Sequence, residues 1–472
     1  MCLALILGQG SLSGQADSGQ VLTREMLMKL VLENHPAVRQ AALRTAMGQA
    51  TVRSARGAFD PQLAAGYEAK RFNGSSYYDL LDAGLKVPTW FGAEFYGGLQ
   101  DHGGSYADPQ GITPEGGYLK AGVQVPIGQG LFIDKRRADL RKAQAFQDMA
   151  EAERQLLLNE VLFEVLDDHV QWVAAYRKLL VSREAVRQAQ VRFNAVKASF
   201  EGGDRPAIDT LEALLQVQDR TLRLQHAELE FQNAGVQLSN HLWDPQMRPL
   251  EISPDLRPEV LDMQGPIDQP DVPALLADAL ANHPKLQEQR GKLQQLDVDR
   301  RLRAEFLKPQ LDLRYTLLSN GGVRSGEADQ ITFNSGDHLM GFAFQLPVPL
   351  RKERGELGLA KLRQTDADMA LDRAGQFIRT AVNARANELA QTRQQVDLGR
   401  AMVGNYQGLL NGENRLFQAG ESSLFLVNQR EVALLDSWLR QVELEAKLRL
   451  AYFKLEKDAG ALWRTFVAPL QP

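Results

Sequence analysis

Residues 33–40 read ENHPAVRQ, and residues 282–289 read NHPKLQEQ. Each copy of Asn-His-Pro follows one apolar stretch of helical period and precedes another. Proline inside a helix removes a hydrogen bond and disfavours helix at the residue before it, so each copy marks a break. A short helix capped by Thr23, with Glu25 in its first turn, is expected to end near Asn34. A longer one then begins with Pro36 in its first turn. On this reading the asparagine supplies the cap and His35 is a spacer or a solvated residue.

The repetition extends well beyond three residues. Asn34 and Asn282 lie 248 positions apart, as do Pro61-Gln62-Leu63 and Pro309-Gln310-Leu311, and Tyr67 and Tyr315. Further on, Val125-Pro126-Ile127 corresponds to Leu346-Pro347-Val348, and Phe200-Glu201-Gly202-Gly203-Asp204 to Phe417-Gln418-Ala419-Gly420-Glu421. Four matches in one order indicate a tandem duplication. The chain divides into residues 1–20, 21–243 (first repeat), 244–270, 271–463 (second repeat) and a tail, 464–472. Residues 244–270 carry six prolines and read as an irregular linker. The first repeat holds a longer insertion, about Gly74 to Gly117, expected to form an extended hairpin or additional strands.

Within each repeat the period switches from 3.6 to 2 and back. Leu311, Leu313, Tyr315 and Leu317 alternate with Asp312, Arg314 and Thr316, and Leu119, Ala121, Val123 and Val125 alternate with Lys120, Gly122 and Gln124. One apolar and one wet face suit a soluble sandwich or an outer-membrane barrel equally. The aromatic cluster Tyr77, Tyr78, Trp90, Phe91, Phe95 and Tyr96 fits the interfacial girdles of a barrel, or a small apolar patch. Two hairpins cannot close a barrel, and lipid does not tolerate an open edge. Strands that span a membrane here therefore require several copies of the chain.

From Ile133 to Phe200 there is neither proline nor glycine, a run that as helix reaches roughly 100 Å. Leu158, Leu162, Val165, His169, Trp172, Tyr176 and Leu179 form one heptad stripe; Leu156, Phe163, Leu166, Val170 and Val173 form a second. Two stripes mean two neighbouring helices. A return helix keeps the heptad at Leu211, Leu215, Leu222, Leu229 and Val236, with glutamines interleaved.

Composition narrows the function classes. The 472 residues are 44% hydrophobic and 24% charged, with net charge −5. Mean hydropathy is −0.31. No run approaches the roughly 20 apolar residues of a spanning helix, and the acidic balance gives no field for nucleic acid. The single cysteine, Cys2, excludes an internal disulfide. Residues 2–16 resemble the end of a secretory signal peptide. There is no GxxxxGK[ST], HExxH or GxSxG, so no enzyme, cofactor or metal chemistry is expected.

These repeats, strand starts and turns resemble the outer-membrane efflux protein (TolC) family, over nearly everything after residue 20. The resemblance implies an α+β membrane protein of the outer membrane with a large periplasmic part. It implies a homotrimer, each copy giving four strands to one shared 12-stranded barrel in outer-membrane lipid, continued by a helical tunnel. It further implies an exit channel of a tripartite efflux or type I secretion system, fed by a periplasmic adaptor and an inner-membrane transporter. A non-channel periplasmic coiled-coil adaptor or scaffold would share the heptads and turns but has no use for matched strand pairs.

By the same resemblance, the adaptor-docking tips are Phe200, Gly202, Gly203, Asp204 and Asp209 in the first repeat. In the second they are Phe417, Gly420, Glu421, Ser422 and Ser423. Gly203 and Gly420 suit a left-handed turn position, and Asp204 or Glu421 is placed to cap the next helix. Where some relatives carry aperture aspartates this chain reads LVNQRE (426–431), leaving Asn428, Arg430 and Glu431 as the residues of an alternative polar constriction.

Overall fold

The computed structural model describes residues 21–253, 255–260, 267, 269–320 and 332–467. The signal-like segment with Cys2, Pro254 and Pro266 of the linker, and the tail beyond 467 lie outside them.

In chain order the elements begin with β1 (Val21–Leu22), α1 (Arg24–Asn34) and α2 (Pro36–Arg56). Four strands follow, β2 (Gln62–Phe72), β3 (Ser75–Pro88), β4 (Glu94–Gly103) and β5 (Tyr118–Pro126). Then come α3 (Lys135–Glu201), α4 (Ala207–Ser239) and β6 (Arg257–Pro258), which pairs with β1. The second repeat runs α5 (Val272–Asn282), α6 (Pro284–Glu305), β7 (Gln310–Asn320), β8 (Thr332–Gln345), α7 (Arg351–Gln418), α8 (Leu424–Asp458) and α9 (Leu462–Val467).

Thr23 caps α1, its hydroxyl accepting from the Met26 amide at 3.1 Å. The Asn-His-Pro breaks fall where proline demands, but the asparagines do not cap. Asn34 is buried at the end of α1, and it is His35 whose Nδ1 accepts from the Ala37 amide at 3.2 Å. His283 does the same for the Lys285 amide at 3.0 Å. The histidines are therefore the N-caps of α2 and α6, because the extended backbone each adopts turns its ring back over the next helical turn.

The chain folds into two compact units, each drawing on both repeats. One comprises residues up to Leu43, Ala152–Leu286 and residues from Arg373 onward. Its core gathers Leu27 and Val31 of α1, Leu162, Val165, Leu166, Trp172 and Val173 of α3, Leu238 at the end of α4, Leu242 just beyond it, and Phe453 and Leu462. Most of both predicted stripes of α3 is thus buried, with Leu156, Phe163 and Tyr176 partly so. The heptad stripe of α4 faces outward: Leu211, Leu215, Leu222, Leu229 and Val236 are 54–66% exposed, and the buried seam is Ala213, Arg220, Ala227 and Gly235. Small residues let α4 pack closely on that side, and its leucines face outward.

The other unit, Arg44–Glu151 with Gln287–Asp372, contains a sheet of six strands in the order β2-β3-β4-β5-β7-β8, every pairing antiparallel. The insertion between Gly74 and Gly117 supplies β3 and β4, so the sheet of one chain has six strands where four were expected. Glycines at 84, 97 and 98 give this insertion the composition of a loop, yet the backbone pairs throughout. Among the described residues β2 and β8 are unpaired on their outer sides. Among the described residues no helix is long and apolar enough to cross a membrane.

Candidate docking tips and aperture

Both helical hairpins turn in the same way. At the first, the Asp204 amide donates to the Ser199 carbonyl at 2.9 Å and the Gly203 amide to that of Phe200 at 2.9 Å. At the second, the Glu421 amide donates to Leu416 at 2.8 Å and the Gly420 amide to Phe417 at 3.1 Å. This pair of bonds is the Schellman closure of a helix end, which needs a left-handed residue. Gly203 and Gly420 supply it, at φ +83° and +80°.

The acids after the glycines do not cap the following helices. Asp204 and Glu421 contribute their amides to the closure, and their side chains are left at the exposed surface. The cap of α8 is Ser423, which accepts from the Leu426 amide at 3.4 Å; that of α4 is Pro206, without a side-chain bond. Asp209 sits in the first turn of α4, where an acid is favoured, and Arg205 reaches it at 3.3 Å.

The two tips are joined. The Arg205 guanidinium lies 4.5 Å from the centre of the Phe417 ring, and Phe417 packs with Val196, Ala213 and Leu424. Phe200 and Gly202 remain exposed. Ser422 donates to Glu413 at 2.5 Å, and Arg430 reaches the other oxygen of that carboxylate at 3.3 Å. The Ser422 hydroxyl, with Arg430 in support, holds Glu413 below the usual carboxylate range.

Of the three constriction residues, the structure groups two within the helix packing. Asn428 is buried and donates to Glu212 at 2.9 Å. Glu431 is buried between Arg220, at 2.7 Å, and Arg192. Arg430 alone is half-exposed. The sequence reading missed Arg192, Arg205, Glu212, Arg220 and Glu413. One signal was present: Arg220 stands seven residues from both Ala213 and Ala227, a charge on a seam of small residues. Among the described residues no cluster of acidic, histidine or cysteine side chains is arranged to hold a metal ion.

Residues 27–242 match the family model described as outer membrane efflux protein. No curated protein sequence matches the chain. Among solved structures, the open-state MtrE outer membrane channel of Neisseria gonorrhoeae is similar at TM-score 0.66 and 15% identity, with 96% of this chain and 95% of that one covered. CmeC, an outer membrane channel of Campylobacter jejuni, is similar at TM-score 0.62 and 14% identity, covering 96% and 91%. VceC of Vibrio cholerae, an outer membrane protein, gives 0.62 and 14%, covering 92% and 95%. At such identities these likenesses speak for the fold.

Residues 27–242, most of the first repeat, thus carry the sequence signature of outer membrane efflux proteins, and the whole chain shares the fold of the outer membrane channels above.

Proposed function

We propose that this chain is the passive exit duct of a tripartite efflux or type I secretion system. It acts as a homotrimer whose sheets close one shared barrel in outer-membrane lipid. A periplasmic adaptor and an inner-membrane transporter supply cargo and energy. The observation that carries this reading is the sheet of β2–β8, with one apolar face and two unpaired edges. In hydrocarbon an unpaired edge leaves amides and carbonyls unsatisfied, each costing several kcal/mol. Leu63, Met340, Phe342 and Phe344 on that face are each at least 60% exposed in a single chain. The outward leucines of α4 likewise suit contact with a neighbouring copy.

In this reading Phe200, Gly202, Gly203, Asp204, Asp209, Phe417, Gly420, Glu421, Ser422 and Ser423 form the surface offered to the adaptor. Arg430 faces the aperture, and Asn428 and Glu431 fasten the two helical hairpins to each other behind it. The test is expression behind a cleavable export signal, membrane fractionation, and mass determination of the detergent-extracted species. A trimer in the outer-membrane fraction is expected. A soluble periplasmic monomer or dimer would replace the channel with a coiled-coil scaffold.

A further inference from the structure

The insertion of the first repeat is built as wall. Registered pairing carries one apolar row from Leu63 through Leu85, Gly97 and Ala121 to Leu317, and another from Val87 through Phe95, Val123 and Tyr315 to Met340. Cross-strand partners share a face. From Val87 to Leu81 and from Phe95 to Leu99 the inserted strands β3 and β4 therefore continue the apolar face of the strands on either side, and Asp79 and Asp101 bound it at the end near Tyr77.

Their opposite face is polar and connected. Asp82 of β3 meets His102 of β4 at 2.7 Å and Lys120 of β5 at 3.1 Å, and Lys86 meets Glu94 at 2.6 Å. Tyr96 of β4 crosses β5 entirely, its hydroxyl meeting that of Thr316 on β7. It can do so because position 122 is glycine: a Cβ there would stand 2.6 Å from the Tyr96 ring and 2.6 Å from the Tyr315 carbonyl. A ring laid over a glycine is a register-fixing device within a sheet. Nothing of the kind is required of a hairpin hanging in solvent.

The dimensions agree. β3 has 14 residues and β4 has 10, and a tilted strand crosses a bilayer in about 9–11. Aromatic residues mark both ends: Tyr77 stacks on Tyr106 at one, with ring centres 4.6 Å apart, and Trp90, 77% exposed, meets Phe91 in the β3–β4 turn at the other.

We infer that β3 and β4 are two further membrane-spanning strands, so that each copy gives six strands to the wall and three copies close an eighteen-stranded barrel through β2 of one copy and β8 of the next. This rests on the trimeric channel proposed above. Barrel diameter grows about linearly with strand number, so six strands per copy widen the exit about 1.5-fold over four and roughly double its area. The insertion thereby sets the bore at the outer membrane, admitting bulkier cargo than four strands per copy would.

The test is electron cryomicroscopy of the detergent-extracted full chain. Eighteen strands in the wall are expected. A trimer with twelve strands and the β3–β4 hairpin outside would overturn this inference and leave the channel standing; a species without a shared barrel would overturn both. Labelling of whole cells with a water-soluble maleimide gives a second readout in a Cys2→Ser background. Ala83→Cys and Leu99→Cys, facing lipid, should react at least tenfold more slowly than Lys86→Cys and Gln100→Cys, facing the lumen. Equal rates at all four would overturn the assignment.

Discussion

Arg220 of α4 and Glu431 of α8 meet at 2.7 Å with side chains only 3% and 9% exposed, and Arg192 of α3 reaches the same carboxylate. One acid thus joins the first helical hairpin to the second. Removing one partner of a buried pair leaves an uncompensated charge and costs about 3–5 kcal/mol. Glu431→Ala should therefore lower the thermal midpoint strongly, with tryptic cleavage of the extracted protein increased near the tips. The double variant Arg220→Met, Glu431→Leu should recover most of the loss, since Arg192 is exposed enough to turn to water. An unchanged midpoint in Glu431→Ala would show that the triad contributes nothing.

At Gly203 and Gly420 an added Cβ meets nothing within 4 Å, so the cost of alanine is the left-handed backbone alone. Each substitution should destabilise by about 1–2 kcal/mol and weaken adaptor binding. Gly404 and Gly412, equally unobstructed but inside α7 and without positive φ, are the controls. Alanine there should stabilise by about 0.5–1 kcal/mol. Midpoints shifting the same way at all four sites would contradict the assignment of the turns.

The histidine caps make the Asn-His-Pro breaks sensitive to acid. Burial lowers His35 to about 4, the nearby His241 adding to the effect, and burial lowers His283 to about 4. Only a neutral ring can accept through Nδ1. Because the unfolded chain binds these protons more readily, near 6.5, stability is complete above that value. It is lost as pH falls through the window from about 6.5 to about 4. Replacement of both by asparagine, which caps without titrating, should flatten this part of the profile of midpoint against pH. A profile identical to the parent's would remove the histidines from the account.

Gly122→Val should evict the Tyr96 ring and press on the Tyr315 carbonyl, reducing the yield of detergent-resistant oligomer severalfold. Tyr96→Phe keeps the ring and loses only the Thr316 contact, so its yield should stay near the parent's. Seminative electrophoresis before and after heating reads both.

Proline and glycine were the most informative residues in the sequence. They placed the helix break at Pro36, the turns at Gly203 and Gly420, and the uninterrupted run that became α3. Hydropathy was less faithful where packing depends on smallness. The seam Ala213, Arg220, Ala227, Gly235 carries no apolar signal, so only the leucine stripe beside it stood out in the sequence. The inserted strands were hidden for a related reason, since Gly84, Gly97 and Gly98 imitate a loop until cross-strand partners are known. The role of His35 and His283 depends on desolvation and ring orientation, which only the packed structure supplies.

The outward stripe of α4 also bears on how the protein is made. Leu211, Leu215, Leu222, Leu229 and Val236 lie open on a lone chain, as does the apolar face of its sheet. Surfaces of this kind attract one another indiscriminately. In the trimeric channel proposed above, these surfaces are covered only once the copies meet. A copy in excess of its partners would then keep a surface that invites aggregation.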